Sequence, residues 1–137
     1  MPGKRVMTWL PWVIAAGVLL GLFVLKRASF VPAEKARQLL RQGALVIDVR
    51  SPDEFNAGHL PGAINLPLGE LSRDIAGRVP DKDQVLLLHC LSGARSGIAR
   101  QQLKRMGYRN VFNLGSYGRA EKIVHDAAGP PKESPPL

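Results

Sequence analysis

The sequence predicts a small α/β domain with a mostly parallel central sheet flanked by helices, preceded by one transmembrane helix. Two observations predict the domain. Short aliphatic runs alternate with helix-like segments, as in βαβ units, and those runs are apolar on both faces, as in buried parallel strands. A third observation predicts the membrane helix: Val6 to Leu25 carries no charged residue. Twenty residues at the helical rise reach about 30 Å, the thickness of a bilayer's hydrocarbon core.

That apolar run is bounded by Lys4-Arg5 and Lys26-Arg27, with Trp9 and Trp12 toward one end and Pro11 in the first turns. Indole rings suit the headgroup level, and proline is tolerated early in a helix. A cleaved signal peptide requires small residues at the cleavage site, and Arg27-Ala28-Ser29 puts arginine there. The expected organisation is therefore an anchor over 1–27, a domain over 28–128 and a proline-rich tail over 129–137. Lys26, Arg27, Lys35, Arg37 and Arg41 outnumber Lys4 and Arg5. The positive-inside rule then orients the domain toward the cytoplasm, and the expected location is single-pass in a bacterial inner membrane.

Along the domain, Pro32 to Gln42 reads as a helix stopped by Gly43. Ala44 to Val49 is a buried strand. Ser51-Pro52-Asp53-Glu54 is a capping box with proline at N1, starting a short helix that ends near Gly58. Gly62 to Pro67 is extended, and Pro67 suits a sheet edge. Glu70 to Gly77 is a weak helix and Pro80 to Asp83 a turn. Val85 to His89 is the next strand, Ser96 to Met106 the next helix, and Gly107 its C′ residue. Asn110 to Leu114 is a further strand, followed by a helix over Ser116 to Ala127. The tail is too rich in proline to fold alone.

The formal net charge is +8, and Lys4, Arg5, Lys26 and Arg27 supply half of it. The remainder is a mild surplus that favours small anionic substrates or an anionic membrane surface. No basic stripe interleaved with aromatics points to nucleic acid. Three scattered histidines and a single cysteine give no metal spacing, and no glycine-rich phosphate fingerprint follows the first strand. Neither metal nor cofactor is expected.

The chemistry converges on Cys90, the chain's only cysteine. It ends the strand Val85–His89 and opens the loop Leu91-Ser92-Gly93-Ala94-Arg95-Ser96 before a helix. Backbone N–H groups of that loop, the positive end of the helix dipole and the Arg95 guanidinium each favour a thiolate. An inert packed cysteine is the plain alternative. His89 precedes Cys90 in a strand, so its side chain is expected on the opposite face. Asp48 and Arg50 flank a strand end beside the site. Arg50 is read as pinning the loop through Glu54 or Asp53, and Asp48 either joins it structurally or faces the pocket. Arg119 is read as a solvated helix residue.

The stretch Asp48-Val49-Arg50-Ser51-Pro52-Asp53-Glu54-Phe55-Asn56-Ala57-Gly58-His59-Leu60-Pro61-Gly62-Ala63-Ile64-Asn65-Leu66-Pro67 resembles the first signature of rhodanese domains. Cys90-Leu91-Ser92-Gly93-Ala94-Arg95-Ser96 resembles their active-site loop, in the expected order, and the resemblance covers residues 30–127. It implies a sulfurtransferase in which Cys90 takes sulfane sulfur from a small anionic donor such as thiosulfate. The persulfide then passes sulfur to a thiol or cyanide. Leu91 to Ser96 would bind the substrate, with Ser96 as helix N-cap and His59 a structural residue. With no second cysteine in the chain, the persulfide must be discharged to an outside acceptor. Two alternatives stand beside this reading: a non-catalytic tethered binding module, and a Cys-based phosphatase. The phosphatase loop has five residues between cysteine and arginine, whereas four stand here. The segment Leu114-Gly115-Ser116-Tyr117-Gly118-Arg119 departs from the family's Leu-x-Gly-Gly pattern and its following tryptophan.

Overall fold

Four runs of aliphatic and β-branched residues set the frame of the structure, a computed structural model that describes residues 8–130 but not the side chains of residues 26–28. In chain order the elements are α1 (Leu10–Ala28), α2 (Ala33–Arg41), β1 (Leu45–Asp48), α3 (Pro52–Ala57) and β2 (Ile64–Asn65). They continue with α4 (Leu71–Arg78), β3 (Leu86–His89), α5 (Ala94–Arg105), β4 (Val111–Gly115) and α6 (Tyr117–Ala128). The strands form one sheet in the order β2-β1-β3-β4, parallel throughout. β2 lies at an edge, where Pro67 just beyond it does no harm to a ladder.

Side chains alternate between the two sheet faces, and each face is buried. Ile47, Leu86 and Leu88 pack with Leu71 and Ile75 of α4 and Ala99 and Leu103 of α5. Val46, Leu87 and Leu114 pack with Ala36 of α2 and Ala120 and Ile123 of α6. Each such large side chain contributes about 1.5–3 kcal/mol on burial. Cys90 belongs to the α4/α5 side. The helices thus hold the sheet from both faces and leave the carboxyl ends of the strands to the loops, the usual ligand position in open α/β sheets.

The helix after Cys90 begins at Ala94, with Gly93 as its N-cap at φ +90°, rather than at Ser96. A left-handed glycine reverses the chain within the loop, so the helix starts early and Ser96 is buried inside its first turn. Ser96 is therefore not the N-cap. The capping box of α3 forms as its sequence implies: Ser51 Oγ accepts from the Glu54 N–H, and the Ser51 N–H donates to Glu54 Oε2 at 2.9 Å.

The expected transmembrane helix is corrected. Among the described residues no helix is long and apolar enough to cross a membrane. α1 starts at Leu10 rather than Val6 and takes in Lys26 and Arg27 at its end. Its uncharged part spans about 24 Å, short of a hydrocarbon core. Its large side chains stand exposed, Trp12 at 77% and Leu25 at 69%. Lys4, Arg5, Val6 and the tail from Pro131 lie outside the described residues, as do the Lys26 and Arg27 side chains.

Candidate active site at the carboxyl end of the sheet

Parallel pairing of β3 between β1 and β4 carries Cys90 to the carboxyl edge of the sheet, where the loop 91–96 closes around it. The Cys90 N–H donates to Gly115 O at 3.3 Å. The Gly93 N–H donates to Cys90 Sγ at 3.0 Å, and the Ser96 hydroxyl stands 3.6 Å from the same sulfur. Burial pushes the thiol up. The Ser96 backbone N–H and hydroxyl, with the Gly93 and Ser92 N–H groups, outweigh that burial and hold it below the ordinary cysteine value. The residue is fully buried, while Leu91, Ser92 and Ala94 of the loop are exposed.

Two side chains that the sequence did not assign to the site shape this loop. Asn113 of β4 accepts from Ser96 Oγ at 2.8 Å and from the Gly115 N–H at 3.0 Å, and donates to Gly93 O at 3.2 Å. A buried asparagine within an aliphatic strand must find partners; that was the available signal. Glu54, read as a capping residue and a candidate partner of Arg50, receives both arms of Arg95 instead: Nη1 donates to Oε2 at 2.8 Å and Nη2 to Oε1 at 2.9 Å. No local signal links residues 41 positions apart. The Arg95 guanidinium, and after it the Ser51 N–H, holds the Glu54 carboxyl well below the usual carboxylate range. Arg95 also interacts electrostatically with Cys90.

Arg50 pairs with Asp48, not with Glu54 or Asp53. Its Nη2 donates to Asp48 Oδ2 at 2.7 Å and to Gly58 O at 2.7 Å, and its ring-side face covers Tyr117 at 4.6 Å. Asp48 is fully buried in that pair. His89 lies beside it, Nε2 3.7 Å from Asp48 Oδ2, with its ring against Tyr117, on the face opposite Cys90. Burial lowers its pKa, despite the Asp48 charge that raises it. His89 Nε2 has no hydrogen-bond partner.

Arg119 is not a solvated residue. It donates through Nη1 to Leu114 O and through Nη2 to Val31 O, each at 2.6 Å. His59 stacks on Phe55 at 3.9 Å, with Nδ1 3.0 Å from Phe55 O, and His125 is exposed. Among the described residues no group of His, Cys, Asp and Glu is placed to hold a metal ion.

The arrangement is a buried thiol in a ring of N–H donors, beside a cation and at a helix start. The family described as rhodanese-like domain matches residues 32–118. Thiosulfate sulfurtransferase PspE of Escherichia coli is 45% identical over 69 residues, covering 50% of this chain and 66% of PspE. Putative sulfur carrier protein YrkF of Bacillus subtilis is 33% identical over 69 residues, 50% of this chain and 36% of YrkF. The chain thus spans about a third to two thirds of these relatives' lengths. Thiosulfate sulfurtransferase GlpE of Pseudomonas syringae is 32% identical over 84 residues, 61% of this chain and 77% of GlpE. Among solved structures, the human single-domain sulfurtransferase TSTD1 superposes with a TM-score of 0.58 at 30% identity, over 69% of this chain and 96% of that one.

Proposed function

This chain belongs to the rhodanese-like domain family, and from that premise we propose that it is a rhodanese-type sulfurtransferase acting through Cys90. The observation that carries the reading is the Cys90 sulfur held at 3.0 Å by the Gly93 N–H, with its pKa lowered by the loop despite burial. A thiolate is the species that attacks sulfur. In the first step Cys90 Sγ displaces sulfite from the sulfane sulfur of thiosulfate. The S–S bond of the donor breaks, its electron pair leaves with sulfite, and a Cys90 persulfide forms. In the second step an outside thiolate or cyanide attacks the terminal sulfur. It leaves as a persulfide or thiocyanate and returns the Cys90 thiolate. No proton is consumed in either displacement, so the site needs donors for negative charge rather than a general acid. The loop N–H groups, the start of α5 and Arg95 supply them.

Names of the relatives support this class; thiosulfate as donor and a thiol or cyanide as acceptor are this reading's own. The Arg95 fork, occupied by Glu54, is a reason to prefer sulfur over phosphate transfer, since a phosphatase arginine must clamp phosphate oxygens. The test is intact mass spectrometry of the full chain with and without thiosulfate. A gain of one sulfur atom, reversed by cyanide and absent in Cys90→Ser, is expected. No gain with thiosulfate or with glutathione persulfide would move a non-catalytic binding module ahead.

For location, the reading is attachment to a bacterial inner membrane with the domain on the cytoplasmic side. The exposed apolar side chains of α1 and the cations after it support this. Recovery of the full chain in the soluble fraction of cells would overturn it.

A further inference from the structure

The segment that joins α1 to the domain touches the site from behind. Val31 is buried, its N–H donates to Asn113 O at 2.9 Å, and its carbonyl accepts from Arg119 Nη2. These bonds fix Phe30 in place, with the Arg119 guanidinium 5.6 Å from its ring centre. The ring then fills the space over two glycines with left-handed backbone. A Cβ on Gly93 would stand 2.8 Å from Phe30 Cε1 and Cζ, and one on Gly115 would stand 3.2 Å from Arg119 Cδ and 3.3 Å from Phe30 Cδ2.

Both glycines bond to Cys90. The Gly93 N–H donates to its sulfur, and the Gly115 carbonyl accepts from its backbone N–H. Both glycines sit at positive φ, +90° and +101°, where backbone without a Cβ has several alternatives open to it. A ring pressed against both removes those alternatives. We propose that Phe30 is a positioning residue of the active-site loop, an aromatic wedge that sets the Gly93 and Gly115 backbone around Cys90. The inference rests on the sulfurtransferase reading for its consequence in turnover, but not for its effect on the thiol.

A cleft of about 290 Å³ beside the wedge, lined by Phe30, Gly93, Ala94, Gly97, Ile98 and Asn113, leaves the loop room to shift once the ring is lost. Truncation at Phe30 therefore frees Gly93, whose nearest side-chain neighbour is the Phe30 ring, while Arg119 Cδ still borders Gly115. Arg95, the charged group that interacts electrostatically with Cys90, keeps its Glu54 partner in such a truncation, and Arg119 keeps its bonds to Leu114 O and Val31 O.

The experiment uses the full chain as wild type, Phe30→Ala and Phe30→Leu, and follows Cys90 alkylation by iodoacetamide from pH 5.5 to 9.5 beside thermal melting and thiosulfate turnover. Phe30→Ala is expected to shift the alkylation profile to higher pH and to slow the rate at pH 6.5 about three- to tenfold. Phe30→Leu, which refills most of the space, is expected to recover most of the rate. Alkylation profiles of both variants that superimpose on wild type, with only the melting temperature lowered, would overturn the proposal. A shifted profile in an enzyme that shows no sulfur transfer in any form would leave the wedge standing and remove the sulfurtransferase reading.

Discussion

Glu54 and Arg95 form a two-armed ion pair, at 2.8 and 2.9 Å, that ties the start of α3 to the start of α5. The same carboxylate receives the Ser51 N–H at 2.9 Å. One side chain thus closes a helix cap and fixes the only guanidinium of the loop 91–96. Arg95 faces Cys90 as well, so its position is set by Glu54 while its charge is felt at the sulfur.

This geometry separates the two partners by experiment. Glu54→Gln keeps a hydrogen-bonding side chain but loses the charge pair. It is expected to lower stability by about 1 kcal/mol and to lower thiosulfate kcat/KM a few-fold. Arg95→Ala is expected to cost kcat/KM about tenfold or more, because the cation beside the sulfur goes too, and Arg95→Lys is not expected to restore it. Equal losses in the two single variants and in the double variant would mean that Arg95 acts only as a pin.

Ser96 offers a test of how the thiol is held. Its hydroxyl has one proton and three acceptors within reach: Asn113 Oδ1, Gly93 O and Cys90 Sγ. In Ser96→Ala the backbone donors to sulfur remain. Alkylation of Cys90 at pH 6.5 is expected to slow about two- to fivefold, with a stability loss of about 1 kcal/mol. A profile unchanged from wild type would show that the hydroxyl serves Asn113 alone.

His89 gives a pH dependence whose sign is fixed by its burial. Its pKa is lowered in the folded protein by desolvation, against the opposing Asp48 charge. The unfolded chain therefore binds the proton more readily. Stability from this group is fully present above about pH 6.5 and is lost as pH falls toward the lower folded value. Melting temperature is expected to fall between pH 7.5 and 5.5 in the wild type and to fall less in His89→Gln. Equal slopes in the two proteins would place that dependence elsewhere.

The strand frame was legible because it rests on local pattern. Leu45–Asp48 and Leu86–His89 are aliphatic runs bounded by turn residues, and the capping box at Ser51 announces α3 by itself. Cys90 was legible for a related reason: a strand end, a glycine and a following helix are neighbours in sequence. The helix start at Ala94 was misread at Ser96 because the left-handed turn at Gly93, not a hydroxyl cap, begins it. The spanning helix was overread because flanking charges and apolarity were counted from Val6, whereas the helix runs from Leu10 through Lys26 and Arg27.

The sequence by itself determined the parallel α/β frame, the place of the single thiol at a strand's carboxyl end, and the helix caps that depend on nearest neighbours. Only the tertiary structure decided what surrounds that thiol. It gave Arg95 to Glu54, Arg50 to Asp48, Asn113 to the loop and Phe30 to the two glycines. The reason is physical: periodicity and capping are read within a few residues. An ion pair or a wedge forms wherever folding brings two distant segments within contact, and one chain's local pattern carries no record of that meeting.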